Sequence, residues 1–166
     1  MDAQQFPIGK FDRNVPLNRQ GWTTDIEQLP ALIKEALAGL PAGGIDKPYR
    51  PGGWTGRQVV HHLADSHMNL HVRLRLALTE EKPIIKPYDE VEWAKLVDAE
   101  RGPLEPSLAI IEGVHARSAA LLKALSDEQW RRQLVHPVTG DWTVEQFAGL
   151  YSWHGRHHAA HLKLIR

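Results

Sequence analysis

The sequence predicts an all-α protein: a four-helix bundle with one long crossover connection between its second and third helices. Three observations carry this. Four segments repeat apolar residues at steps of three and four, no segment sustains strand-type alternation, and the connection from Thr79 to Pro106 is much longer than the others. A helix of about 24 residues spans ~36 Å. A connection of that length can run back along such a helix, which predicts that the second and third helices lie parallel.

Residues 1–17 carry two prolines, a glycine and mixed charge without helical period, and are expected to form an arm. The first helix is expected to open at Thr24-Asp25-Ile26-Glu27, where a Thr hydroxyl and a Glu carboxylate can satisfy orphan amides. Trp22, Ile26, Leu29, Ile33, Leu37 and Leu40 give it an apolar face, with Pro30 inside as a kink or as the first turn of a shorter helix. The Pro- and Gly-rich stretch 41–53 is a connection. Thr55 and Gln58 then cap a second helix that runs to about Leu78, with Val59, Leu63, Leu70 and Leu74 on its apolar side.

The long connection holds Pro83, Pro87, Pro103 and Pro106, with one short helical candidate around Asp89–Val97. A third helix is expected from Ser107 to Leu125, a short turn at Ser126-Asp127-Glu128-Gln129, and a fourth helix from the Thr143–Gln146 cap to the end. Helices two and four thus open alike, on Trp-Thr-x-x-Gln. The plain reading of the echo is a capping box preceded by a hydrophobic staple.

The chain of 166 residues suits one domain, 1–166. Lys+Arg and Asp+Glu are both 20, so no charge excess points to nucleic acid. The absence of cysteine excludes disulfides and thiolate zinc sites. The first residues lack the basic and apolar runs of a signal peptide, and no stretch approaches the ~18 apolar residues of a membrane span. A cytoplasmic protein with no membrane partner is therefore expected.

Ten histidines are a surplus, and they cluster. His154 and His158, four apart, stack on one helix face at the spacing by which two imidazoles hold one ion; His161 continues the stripe and His157 is rotated off it by ~100°. His161 is ~10 Å along the axis from His154, too far to join it at bond lengths of ~2.0–2.1 Å. A second helix must close the site, with His61, His62, His67 and His71 as candidates. His62 is favoured because it starts a polar stripe with Ser66, Asn69 and Arg73. Asp65 could orient a ligand ring, although a solvated carboxylate is the plainer reading; Tyr49, Arg50 and Asn69 are further candidates to reach a cavity. Three neutral imidazoles with an open fourth position describe a catalytic site better than a structural one.

The run from Pro48 to Asn69, containing Tyr49-Arg50-Pro51-Gly52-Gly53-Trp54-Thr55 and His61-His62-Leu63-Ala64-Asp65-Ser66-His67, resembles the YfiT group of the DinB-like superfamily. So do Phe6–Phe11, Lys86–Glu90 and Gly149–His161. The resemblance implies a four-helix bundle with a crossover, one divalent ion held by His62, His154 and His158, and a homodimer. It also implies a metal-dependent hydrolase; relatives in the superfamily are thiol transferases that use bacillithiol or a similar thiol.

Zinc is the first expectation for the ion and nickel the second. The substrate is expected to be a small molecule, and a low-molecular-weight thiol would supply the thiol group this chain lacks. No residue identifies itself as a general base. A non-catalytic reading, in which the ion only staples helices, would need a fourth protein ligand, for which His67 and His161 are the candidates.

Overall fold

The computed structural model describes residues 3–166; residues 1 and 2, the start of the expected arm, lie outside it. Helix α1 spans Arg19–Ala38, α2 spans Gly56–Thr79, α3 and α4 are short at Glu90–Trp93 and Val97–Arg101, α5 spans Leu104–Lys123, α6 spans Asp127–Trp130, and α7 spans Val144–Leu164. A 3-10 turn, Gly44–Asp46, lies between α1 and α2. The bundle consists of α1, α2, α5 and α7.

Side-chain contacts fix the directions. His61 meets Ser107, His67 meets His115 and His71 meets Ser118, so numbers rise together along α2 and α5, which run parallel as the crossover requires. The helices α1 and α7 are also parallel, through Arg19–Glu145, Asp25–Ser152 and Glu35–Lys163. Between α1 and α5 the order reverses: Glu27 pairs with Lys123, and Lys34 with Glu112.

The caps explain where helices begin. Thr55 with Gln58, Ser126 with Gln129 and Thr143 with Gln146 each form a reciprocal capping box. The first helix starts earlier than its Thr24 signal suggests. Asn18 accepts from the Gly21 amide at 3.0 Å and opens the helix, while Thr24 bonds back to the Gln20 carbonyl inside it. The third begins at Leu104 rather than Ser107, because Pro106 sits in its first turn, where a missing amide costs nothing.

A short hairpin, β1 (Gln133–His136) and β2 (Gly140–Thr143), was not legible as alternation; Gly140, at φ 79°, makes the turn. It carries Trp142 onto Phe147, ring centroids 5.6 Å apart, the staple expected of that tryptophan. The crossover joins the hairpin edge through Ile85 and Val135. Farther along, the Ala94 carbonyl accepts from Gln58 and the Gly102 carbonyl from Arg57, which tie the crossover to the start of α2.

The core falls into two apolar clusters. One gathers Trp22, Ile26, Leu70, Leu74 and Phe147; the other Leu29, Ile33, Val59, Leu63 and Leu162. Buried histidines from α2, α5 and α7 lie between them. The arm is ordered against α7: Phe6 stacks on His157, and the Gly9 carbonyl accepts from the Trp153 indole at 3.1 Å.

Candidate metal centre

The capping boxes phase α2 and α7 so that His62 faces His154 and His158. His62 Nε2 and His154 Nε2 are 3.2 Å apart. One ligand nitrogen from each of the three residues falls within 4.8 Å of the others, the only such group of three among the described residues. Two nitrogens bound at ~2.0–2.1 Å to one ion lie ~2.9 Å apart at a right angle and ~3.4 Å at a tetrahedral angle. The His62–His154 separation lies between the two, and with His158 within 4.8 Å of both the donor set fits a transition-metal ion.

Burial keeps these imidazoles in the form that binds metal. It pushes His62 down to about 4, with His157 and His161 adding to the effect, and pushes His154 and His158 well below the ordinary value. Neutral imidazole is the ligating species.

The other histidines divide cleanly. His61 faces α5, with Nδ1 2.7 Å from Ser107 Oγ, and His71 lies 3.1 Å from Ser118 Oγ. His67 and His161, the candidates for a fourth ligand, stand behind the site instead. His67 Nε2 is 3.1 Å from His154 Nδ1, and His161 Nδ1 is 3.2 Å from His158 Nδ1. His157 is buried between Phe6 and Trp153. Asp65 and Asn69 do not line the cavity; Asn69 bonds back to the Asp65 carbonyl.

A cavity of about 590 Å³ opens onto the three histidines. Tyr49, Arg50 and Trp54 form one wall, the last with its ring 4.7 Å from that of His62. Trp54 therefore shapes the site, beyond the staple role its sequence context suggests. On the other side Arg73 donates to the Tyr151 hydroxyl at 3.2 Å and to the Lys86 carbonyl at 3.0 Å, with Tyr88 and Ser66 beside them. Burial raises both phenols, so Tyr88 and Tyr151 stay protonated and can donate. Glu90 is the one carboxylate lining the cavity among the described residues.

A helical bundle with three inward imidazoles from two helices defines a class of metal-binding four-helix proteins. The chain belongs to the DinB superfamily, whose sequence model matches residues 25–162. It is 47% identical over 164 residues, 96% of this chain and 94% of the relative, to a protein of Oceanobacillus iheyensis named as a candidate metal-dependent hydrolase. It is 44% identical over 161 residues, 95% of this chain and 90% of the relative, to YfiT of Bacillus subtilis, which carries the same description. The solved structure of YfiT is described as a probable metal-dependent hydrolase with an unusual four-helix bundle topology. It superposes with a TM-score of 0.91 at 43% identity, covering 96% of this chain and 94% of that one. Among the described residues no helix is long and apolar enough to cross a membrane.

Proposed function

We propose that this protein is a metal-dependent hydrolase in which His62, His154 and His158 hold one divalent ion, zinc in the first instance and nickel as the alternative. The observation that carries the reading is the 3.2 Å approach of two imidazole nitrogens on different helices, beside a third, at a cavity large enough for a small-molecule substrate. Among the described residues no other side chain joins the three, which favours a catalytic over a structural site. The ion supplies Lewis acidity and lowers the pKa of a water to about 7. The chain's own residues do the rest. Trp54 and Tyr49 exclude bulk water, while the Tyr151 hydroxyl, oriented by Arg73, donates to a developing oxyanion.

Thiol transfer to an electrophile is the second reading. It is favoured by a cavity with room for two reactants and by the absence of cysteine, so that the nucleophilic sulfur would come from a cosubstrate. In keeping with the family likeness, we place the protein in the cytoplasm as a homodimer that binds neither nucleic acid nor membrane.

The test is a turnover screen of zinc- and nickel-loaded protein, beside His62→Ala, on small esters, amides and phosphoesters, and separately on a thiol with a chloroaromatic acceptor. Cleavage of an ester, amide or phosphoester that His62→Ala abolishes supports hydrolysis. Thioether formation with release of chloride and a proton, abolished by the same variant and without cleavage of those esters or amides, supports transfer. Metal binding without turnover in either arm overturns the enzyme reading.

A further inference from the structure

Two chains of imidazoles run away from the metal centre, and each ends on a backbone carbonyl. In the first, His154 Nδ1 meets His67 Nε2 at 3.1 Å, His67 Nδ1 meets His115 Nε2 at 2.8 Å, and His115 Nδ1 meets the Ile26 carbonyl at 2.5 Å. In the second, His158 Nδ1 meets His161 Nδ1 at 3.2 Å, and His161 Nε2 meets the Gln5 carbonyl at 3.2 Å.

A carbonyl oxygen can only accept, and a neutral imidazole has one donor and one acceptor nitrogen. Each chain therefore has one consistent direction. His115 must donate Nδ1–H to Ile26, which leaves its Nε2 to accept. His67 must then donate Nδ1–H to His115 and accept at Nε2, so His154 donates its Nδ1–H to His67. By the same logic His161 donates Nε2–H to Gln5 and accepts at Nδ1 from His158 Nδ1–H. Both outcomes leave a bare lone pair on Nε2 of His154 and of His158.

The protein buries this arrangement. In the first chain His67 and His115 are 0% exposed; in the second His161, 2% exposed, lines the cavity. The terminal acceptor in the first chain is also accounted for. In a regular helix the Ile26 carbonyl would bond the amide of residue 30, and residue 30 is proline, which has none. Pro30 thus frees the carbonyl that His115 uses.

We propose that His67, His115 and His161 are positioning residues that fix the Nδ1–H tautomers of His154 and His158 before any ion arrives, anchored on the carbonyls of Ile26 and Gln5. The proposal rests on the three-histidine reading of the site and adds the residues that preset it. In the metal-free protein the remaining contact then runs from His62 Nε2–H to His154 Nε2, so of the three ligands only His62 must change tautomer to bind an ion.

The experiment is long-range 1H–15N correlation of histidine rings in metal-free wild type at neutral pH, repeated on His115→Phe and His161→Phe, with zinc affinity measured by chelator competition and folding by thermal melts. Phenylalanine keeps the ring volume, and at position 161 it keeps the stack on Tyr49, whose ring lies 3.9 Å away. The expected spectra show Nδ1–H tautomers at His67, His115, His154 and His158 and an Nε2–H tautomer at His161. Each variant then yields mixed tautomers at its own ligand and about 10–100-fold weaker zinc binding. An Nε2–H tautomer at His154 or His158 in wild type overturns the proposal, whether or not the variants fold. So do folded variants with unchanged tautomers and affinity. Correct wild-type tautomers in a protein that takes up no zinc would instead overturn the metal reading alone.

Discussion

His115 donates to the carbonyl of Ile26 across 2.5 Å, and Ile26 lies four residues before Pro30, which sits inside α1. A helix defect and a buried histidine on a different helix therefore satisfy each other. Proline inside a helix ordinarily costs ~3 kcal/mol or more, through a lost hydrogen bond and a clash with the carbonyl one turn back. Here that carbonyl has a partner, and α1 and α5 are joined through it.

Replacing Pro30 by alanine separates stability from metal binding. The restored amide competes with His115 for Ile26 and removes the proline penalty. Chemical denaturation should show Pro30→Ala equal to or more stable than wild type, by up to ~3 kcal/mol. Its zinc affinity should nevertheless be weaker, by a smaller factor than in His115→Phe. A variant that gains stability and keeps full affinity would show that the carbonyl plays no part in the site.

Acid should unfold the metal-free protein. Burial holds His62, His115 and His157 at about 4, below the ordinary value near 6.5. Between those limits the unfolded chain binds protons that the folded chain does not, so stability falls as pH drops from about 6.5 to about 4. Each net proton contributes ~1.4 kcal/mol per pH unit. Asp65 works the other way. Burial and the neighbouring Asp98 raise it to about 6, so it favours the folded state as pH falls through the range 3.8 to 6. With three such histidines against one carboxylate, urea midpoints should fall over this window; a flat profile would contradict the burial of the cluster.

Gly155 sets how closely α1 approaches the helix that carries two of the histidines. A Cβ built there would lie 2.6 Å from a methyl carbon of Leu29. Gly155→Ala should destabilise the protein by about 1–3 kcal/mol in denaturant titrations, despite the better helix propensity of alanine. A neutral or stabilising result would mean that the two helices have slack at this level.

Much of this was legible in the sequence where chemistry is local. The capping boxes at Thr55 and Thr143, the short turn at Ser126, the crossover and the pairing of His154 with His158 follow from spacing and helical phase; His62 is favoured by phase among four candidates, and the family resemblance implies it. Contacts between distant segments were not. His115 is a lone histidine on an apolar helix, and nothing in its neighbourhood says that it meets His67. Pro30 reads in the sequence as a kink or as the first turn of a shorter helix; α1 instead runs through it, and the carbonyl it frees has a use only once α5 packs against α1. The hairpin escaped because four-residue strands are too short to show alternation. Asn18, the actual cap of α1, is a weaker local signal than Thr24 with Glu27 three residues on. Trp54 and Trp142 occupy equivalent positions before their caps; tertiary packing alone sends one to the cavity and the other to the core.

The most direct test is the metal content of purified protein by inductively coupled plasma mass spectrometry, with wild type beside His62→Ala and His154→Ala. The three-histidine site predicts close to one zinc or nickel per wild-type chain and almost none in either variant. Metal-free wild type after exposure to both ions, or variants that retain a full equivalent, would contradict it.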